Sequence, residues 1–116
     1  MGFFDFLKTK KTKKDDSLTT DPYDPDLGHG VDKDPVPQNK KYLILSEAER
    51  AKGFLRPFRN KYLHSTCGVE TKMNNAIAET YARDPKFYGS TYCISCMRHL
   101  PVGEFTWSAD GEVVGS

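Results

Sequence analysis

The sequence predicts an α+β fold: a small domain of short strands and one or two helices over residues 41–116, behind a disordered N-terminal arm over residues 1–40. Two contrasts carry that prediction. In 41–116 the apolar residues come in short runs divided by turn residues, a pattern of small strands mixed with brief helices. Residues 1–40 hold seven Lys and eight Asp, and after MGFFDFL they carry few large apolar side chains. Such a stretch cannot bury enough surface to offset the entropy of ordering it.

Within the arm, Phe3, Phe4 and Leu7 share a helical face, with Lys8, Lys10 and Lys11 just beyond. Residues 1–14 are therefore suited to weak contact with an anionic membrane surface or with a partner's groove. Gly2 does not start a myristoylation motif, because Phe6 stands where Ser or Thr is required. Four prolines between 19 and 39 make that stretch an extended, Pro-rich linker. Its DPYDPD lacks the Gly and the closing Glu of a calcium loop.

Order is expected to begin with a strand in KKYLIL, residues 40–45. In SEAERAK, Ser46 and Glu49 have capping-box spacing, so a short helix is expected over 47–52, with Gly53 to end it. Pro57 excludes one long helix through to His64, and FLRPFRNKYLH reads as extended, its last residues a strand. STCG is then a turn and VETKM a strand. NNAIAETYAR is the strongest helix, with Ile77, Ala78 and Tyr81 as its apolar stripe. Pro85 closes that helix, TYCISCMRHL carries a second turn, and EFTW and EVVG flank the Asp-Gly hairpin signal of SADG.

The two turns bear the chemistry. HSTCG offers His64 and Cys67, and CISC offers Cys93 and Cys96, which together read H-x2-C-x25-C-x2-C. Two donors at that spacing reach one ion from a single tight turn, and three thiolates with one imidazole suit tetrahedral Zn2+. Iron and cuprous copper share some of that preference. A domain of this size gains from such a staple, which is worth on the order of 10 kcal/mol where the metal-free chain is unfolded. Gly68 supplies a left-handed residue after the first turn, and Met97 stands in the matching place after the second.

His99, three residues beyond Cys96, competes with His64 for the fourth position; paired donors on each of two turns favour His64. A redox role for Cys93 and Cys96 wants a helix behind the CxxC, and Pro101 leaves little room for one. A catalytic zinc wants an open position, and four candidates already fill the shell. No enzyme activity and no small-molecule substrate are expected.

With a net charge of +1 the chain has no global drive toward polyanions, so any such contact must be local. The segment 50–61 is locally basic: Arg50, Lys52, Arg56, Arg59 and Lys61 alternate with Phe54 and Phe58 and contain no acid among them. Basic groups can neutralise phosphates while the rings stack on bases, so these five residues are the candidate nucleic-acid contacts. An extended 54–64 would line up Phe54, Arg56, Phe58, Asn60 and Tyr62 on one side. Tyr81, Phe87, Tyr88, Tyr92, Phe105 and Trp107 are expected mostly in the core.

Three strings, ERAKGFLRPFRNKYLHSTCG, AIAETYARDPKFYGSTYC and PVGEFTW followed by DGEVVGS, resemble a group of small zinc-ribbon-like proteins encoded in phage genomes and prophages. The resemblance covers roughly residues 42–116. It implies a phage context and a site at His64, Cys67, Cys93 and Cys96, and it implies no substrate. The expectation is a nucleic-acid-associated accessory protein with a structural zinc ion. The alternative is an adapter or virion-associated protein that docks on another protein through its arm. No run of 18 apolar residues spans a membrane, and the basic residues of MGFFDFLKTKK follow its apolar ones, opposite to a secretion signal. A cytoplasmic location, in the host cell if phage-encoded, is expected.

Overall fold

The computed structural model describes residues 17–28 and 30–116. Among them the α+β expectation holds, with short strands and two short α-helices. The amphipathic start proposed for residues 1–14 lies outside the described residues.

The first strand pair forms where a mobile linker was expected. β1 (Leu18–Thr19) runs parallel to β2 (Tyr42–Leu43), with Leu18 opposite Tyr42 and Thr19 opposite Leu43. Between them, Asp21 and Asp24 accept hydrogen bonds from the amides of Tyr23 and Asp26, and Lys41 pairs with Asp24 at 3.1 Å. These side-chain turns set the path of the backbone without a hydrophobic run. Composition alone therefore misjudged residues 17–40, which are held by polar contacts and not by apolar burial.

Ser46 caps α1 (Glu47–Arg50) by accepting from the Glu49 amide, which satisfies one of the free donors of the first turn. The helix is shorter than the expected 47–52. Gly53 follows with φ +119°, a conformation that favours glycine. Residues 54–60 are irregular, and β3 (Lys61–His64) begins only after them.

β3 is the centre of an antiparallel sheet, flanked by β4 (Glu70–Lys72) and β7 (Phe105–Trp107). Tyr62 faces Thr71 on one side and Trp107 on the other, while His64 faces Phe105. Strand alternation then sends Tyr62, His64, Thr71, Phe105 and Trp107 to the buried face.

Asn74 caps α2 (Asn75–Arg83) by accepting from the Ala76 amide. The buried face of α2 is Ala78, Thr80, Tyr81 and Ala82, while Ile77, expected in the stripe, is half-buried. Thr80 is inside because its hydroxyl donates to Ala76 O and accepts from the Leu45 amide, which ties the helix to the chain after β2. Edge-to-face pairs join Tyr62 to Phe105 and Tyr81 to Trp107, each with ring centroids 5.3 Å apart. Such pairs add about 0.5–1.5 kcal/mol beyond their buried area.

β5 (Ser90–Cys93) and β6 (Arg98–Pro101) form a hairpin around CISC, with Tyr92 opposite His99 and Cys93 opposite Arg98. After β7 the chain turns through SADG as expected. Gly111 takes φ +77° there, and the returning arm is a single bridge, Thr106 to Val113. No helix among the described residues is long and apolar enough to cross a membrane.

Candidate metal centre

Each half of the centre is built the same way. His64 ends β3, and the Gly68 amide donates back to His64 O at 2.7 Å; Cys93 ends β5, and the Met97 amide donates back to Cys93 O at 2.8 Å. Gly68 has φ +71° and Met97 φ +54°. Met97, in the place matching Gly68, adopts the left-handed conformation without glycine's freedom, the one non-glycine among the described residues to do so. That conformation costs an ordinary residue about 1–2 kcal/mol.

The register that pairs β3 with β7, together with the β5–β6 hairpin, brings the two turns into contact. Nδ1 or Nε2 of His64 and the sulfurs of Cys67, Cys93 and Cys96 all lie within 4.8 Å of one another. Cys67 Sγ is 3.6 Å from Cys93 Sγ, and Cys96 Sγ is 3.6 Å from His64 Nδ1. A tetrahedral zinc site with Zn–S of about 2.3 Å and Zn–N of about 2.0–2.1 Å has edges near 3.5–3.8 Å. The two short edges already match it, and all three cysteines are free thiols.

The surroundings favour metal binding in three ways. Glu104 Oε1 lies 2.9 Å from His64 Nε2, so that nitrogen donates to the carboxylate and Nδ1 is left as the donor atom for a metal. The Cys96 amide donates to Cys93 Sγ at 3.4 Å. His64 and Cys93 are buried while Cys67 and Cys96 are half-buried, so the cluster sits at the edge of the core, with the Phe105 ring 4.7 Å from the imidazole.

Electrostatics point the same way. The Val69 amide holds the Cys67 thiol down to about 6, against burial, with further help from His64, Cys93 and Cys96. Burial first, then the neighbouring Cys93 and Cys67 sulfurs, push Cys96 up to about 11. Burial works to lower His64, yet the Glu104 carboxylate and the Cys67 sulfur outweigh it and the net direction is up. The metal-free cluster thus accepts one negative charge readily and resists a second. A divalent cation removes that resistance and deprotonates its thiols outright.

His99, the competing ligand, is placed elsewhere. Its Nδ1 is 2.6 Å from Asp32 Oδ2 and its Nε2 is 3.0 Å from the Tyr42 hydroxyl, so both nitrogens are committed. The sequence had no local signal for Asp32, Tyr42 or Glu104 as partners of histidines, since they stand 67, 57 and 40 residues away from them.

The five basic residues of 50–61 do not form one strip. Arg59 is 6% exposed and joins Asp110 at 2.9 Å and Glu112 at 2.6 Å, with its guanidinium 4.9 Å from the centre of the Trp107 ring. Arg50 pairs with Glu79, and Lys52 with Glu49. Arg56 and Lys61 are exposed; Arg56 donates to Ser116 O at 3.3 Å and to Leu55 O at 3.2 Å, and Lys61 has no carboxylate side-chain partner among the described residues. Phe54 and Phe58 are exposed, but so are Leu55 and Pro57 between them, and Tyr62 is buried, so the expected alternation onto one side does not form.

No protein-family model matches the chain, and no curated protein or solved structure is significantly similar to it.

Proposed function

We propose that the protein is a binding module stapled by a structural Zn2+ on His64, Cys67, Cys93 and Cys96. The observation that carries this reading is the meeting of four donor atoms within 4.8 Å, with Glu104 behind the histidine. Four protein donors fill a tetrahedron and leave no position for substrate, which favours a structural ion over a catalytic one. In a phage context, as the resemblance implies, an accessory protein of this kind acts by recognition.

The ligand we favour is single-stranded nucleic acid, held by Phe54, Arg56, Phe58 and Lys61. Two exposed rings and two exposed cations within eight residues offer stacking and phosphate contact together. Lys72 stands directly opposite Lys61 across the β3–β4 ladder and adds a third cation, an unfavourable neighbour that an anion would relieve. Binding of a labelled oligonucleotide at several salt concentrations tests the reading. Three phosphate contacts give a log–log salt slope of about −2, against about −3.5 for five. A slope of zero, or no binding at all, removes nucleic acid as the ligand.

A protein partner is the second reading. Ile94 and Met97 are 52% and 50% exposed on the second metal turn, an uncharged apolar surface better suited to protein than to phosphate. Docking through residues 1–14 is the other form of that reading, and it lies outside the described residues.

A further inference from the structure

Residues 30–40 are fastened to the stretch just after the second metal turn. The Val36 amide donates to Met97 O at 2.6 Å and the Asp32 amide to His99 O at 3.1 Å, while the Arg98 guanidinium donates to Lys33 O at 3.1 Å. A side-chain chain reinforces them: Asp32 to His99, and His99 to Tyr42. The Asp32 carboxylate can only accept, which puts an imidazole proton on Nδ1, and the Tyr42 hydroxyl, which accepts from the Asn39 amide at 3.2 Å, then donates to Nε2 of the neutral ring. His99 is 4% exposed, so this network is largely closed to water.

The backbone anchors on the far side belong to Met97 and His99 and a guanidinium anchor to Arg98, all within three residues of Cys96, while the hydroxyls of Tyr92 and Ser90 on β5 add longer contacts, to Val36 O at 3.4 Å and Gly30 O at 3.3 Å. The Met97 carbonyl is aimed at Val36 by a backbone conformation that an unrestrained methionine seldom adopts. The hydrogen bond from the Met97 amide to Cys93 O closes that turn from within, and Cys93 and Cys96, its two ends, are where a shared ion would fix it further.

We propose that residues 30–40 form a metal-gated strap, closed while Cys93 and Cys96 share an ion and released when the ion leaves. The inference rests on the zinc reading above. Gln38 and Asn39 of the strap line a cavity of about 290 Å3, whose other walls include Tyr62, Tyr81 and Tyr92. Release of the strap uncovers those rings, so the state of the metal controls access to an aromatic cavity. The strap is thereby a sensor element and not a passive linker.

Residue-resolved amide hydrogen exchange on the full chain tests this, with zinc content measured on the same sample. On chelation the Asp32 and Val36 amides are expected to exchange at least about tenfold faster, while the Tyr81 amide in α2 changes by less than about threefold. The Asp32→Ala variant should keep its zinc and still show the faster exchange at Val36. Strap exchange that ignores the metal overturns the gate, as does acceleration of strap and α2 in parallel, which marks global unfolding. A purified protein without metal overturns the zinc reading and the gate together. Zinc present with an indifferent strap overturns the gate alone.

Discussion

The carboxylate of Glu104 lies 2.9 Å from Nε2 of His64 and leaves Nδ1 as the one ring nitrogen turned toward the thiols. A carboxylate in that place fixes the ring's orientation and tautomer and makes the donor nitrogen more basic. Glu104→Ala is therefore expected to weaken zinc binding by about 10–100-fold with all four ligands intact. Competition with a chromophoric chelator reads this directly. An unchanged affinity would mean that the ion, if bound, does not use His64 Nδ1.

Metal binding should release protons. Cys96 is held up at about 11 in the metal-free cluster, so near pH 7 its sulfur carries a proton that the ion must displace. A thiol's apparent pKa falls below its metal-free value on binding, so the stability gained from metal is full at high pH and is lost as pH falls. Calorimetry in buffers of different ionisation enthalpy should show proton release at pH 7, and the affinity should climb between pH 6 and 8. A flat profile would contradict thiolate ligation.

Met97 and Gly68 occupy the same place in their turns with opposite intrinsic preferences. Met97→Gly should relieve the left-handed cost of about 1–2 kcal/mol while adding about 0.5–1 kcal/mol of unfolded-state entropy. The net expectation is a gain of up to about 1.5 kcal/mol, and Gly68→Ala should lose up to about 1.5 kcal/mol for the same reasons reversed. Urea midpoints of the two variants, zinc-saturated, decide the matter. Destabilisation by Met97→Gly would show that its side chain contributes more than its backbone costs.

Arg59 and Arg56 should separate cleanly. Removing the buried Arg59 guanidinium leaves Asp110 and Glu112 unpaired, and because both acids are partly exposed the loss is about 2 kcal/mol of stability. Arg56→Ala should change stability by less than about 0.5 kcal/mol and weaken oligonucleotide binding instead. Thermal melts beside binding isotherms distinguish the two roles. Equal effects of both variants on binding with no change in melting would restore the five-residue strip.

Local spacing made the metal set legible: two donors per turn, three residues apart, are a short-range pattern that survives any uncertainty about the rest of the chain. The helices were legible for the same reason, through the Ser46 and Glu49 spacing and the Ala78 and Tyr81 stripe, and β3 as the extended end of FLRPFRNKYLH. Residues 17–40 were not legible. The order of 17–28 comes from the pairing with β2 and the Asp turns and that of 30–36 from acceptors at Met97 and His99, more than sixty residues on, while a composition argument sees only the missing apolar side chains. Arg59 misled for a related reason. A cation between Phe58 and Asn60 looks solvated until the hairpin returns Asp110 and Glu112 to it, 51 and 53 residues later.

The matching construction of the two turns also bears on the order of assembly. Each turn gathers its own two donors across only three residues, so either can capture an ion before the sheet exists. Cys67 and Cys93 are 26 residues apart, with β4, α2 and most of β5 between them. With the proposed ion bound, joining the turns would be a single long-range closure, at an entropic cost of about 3 kcal/mol that the second pair of metal bonds would offset. On the zinc reading a half-loaded turn would serve as the nucleus, and α2 would complete its packing inside a loop whose ends are already tied.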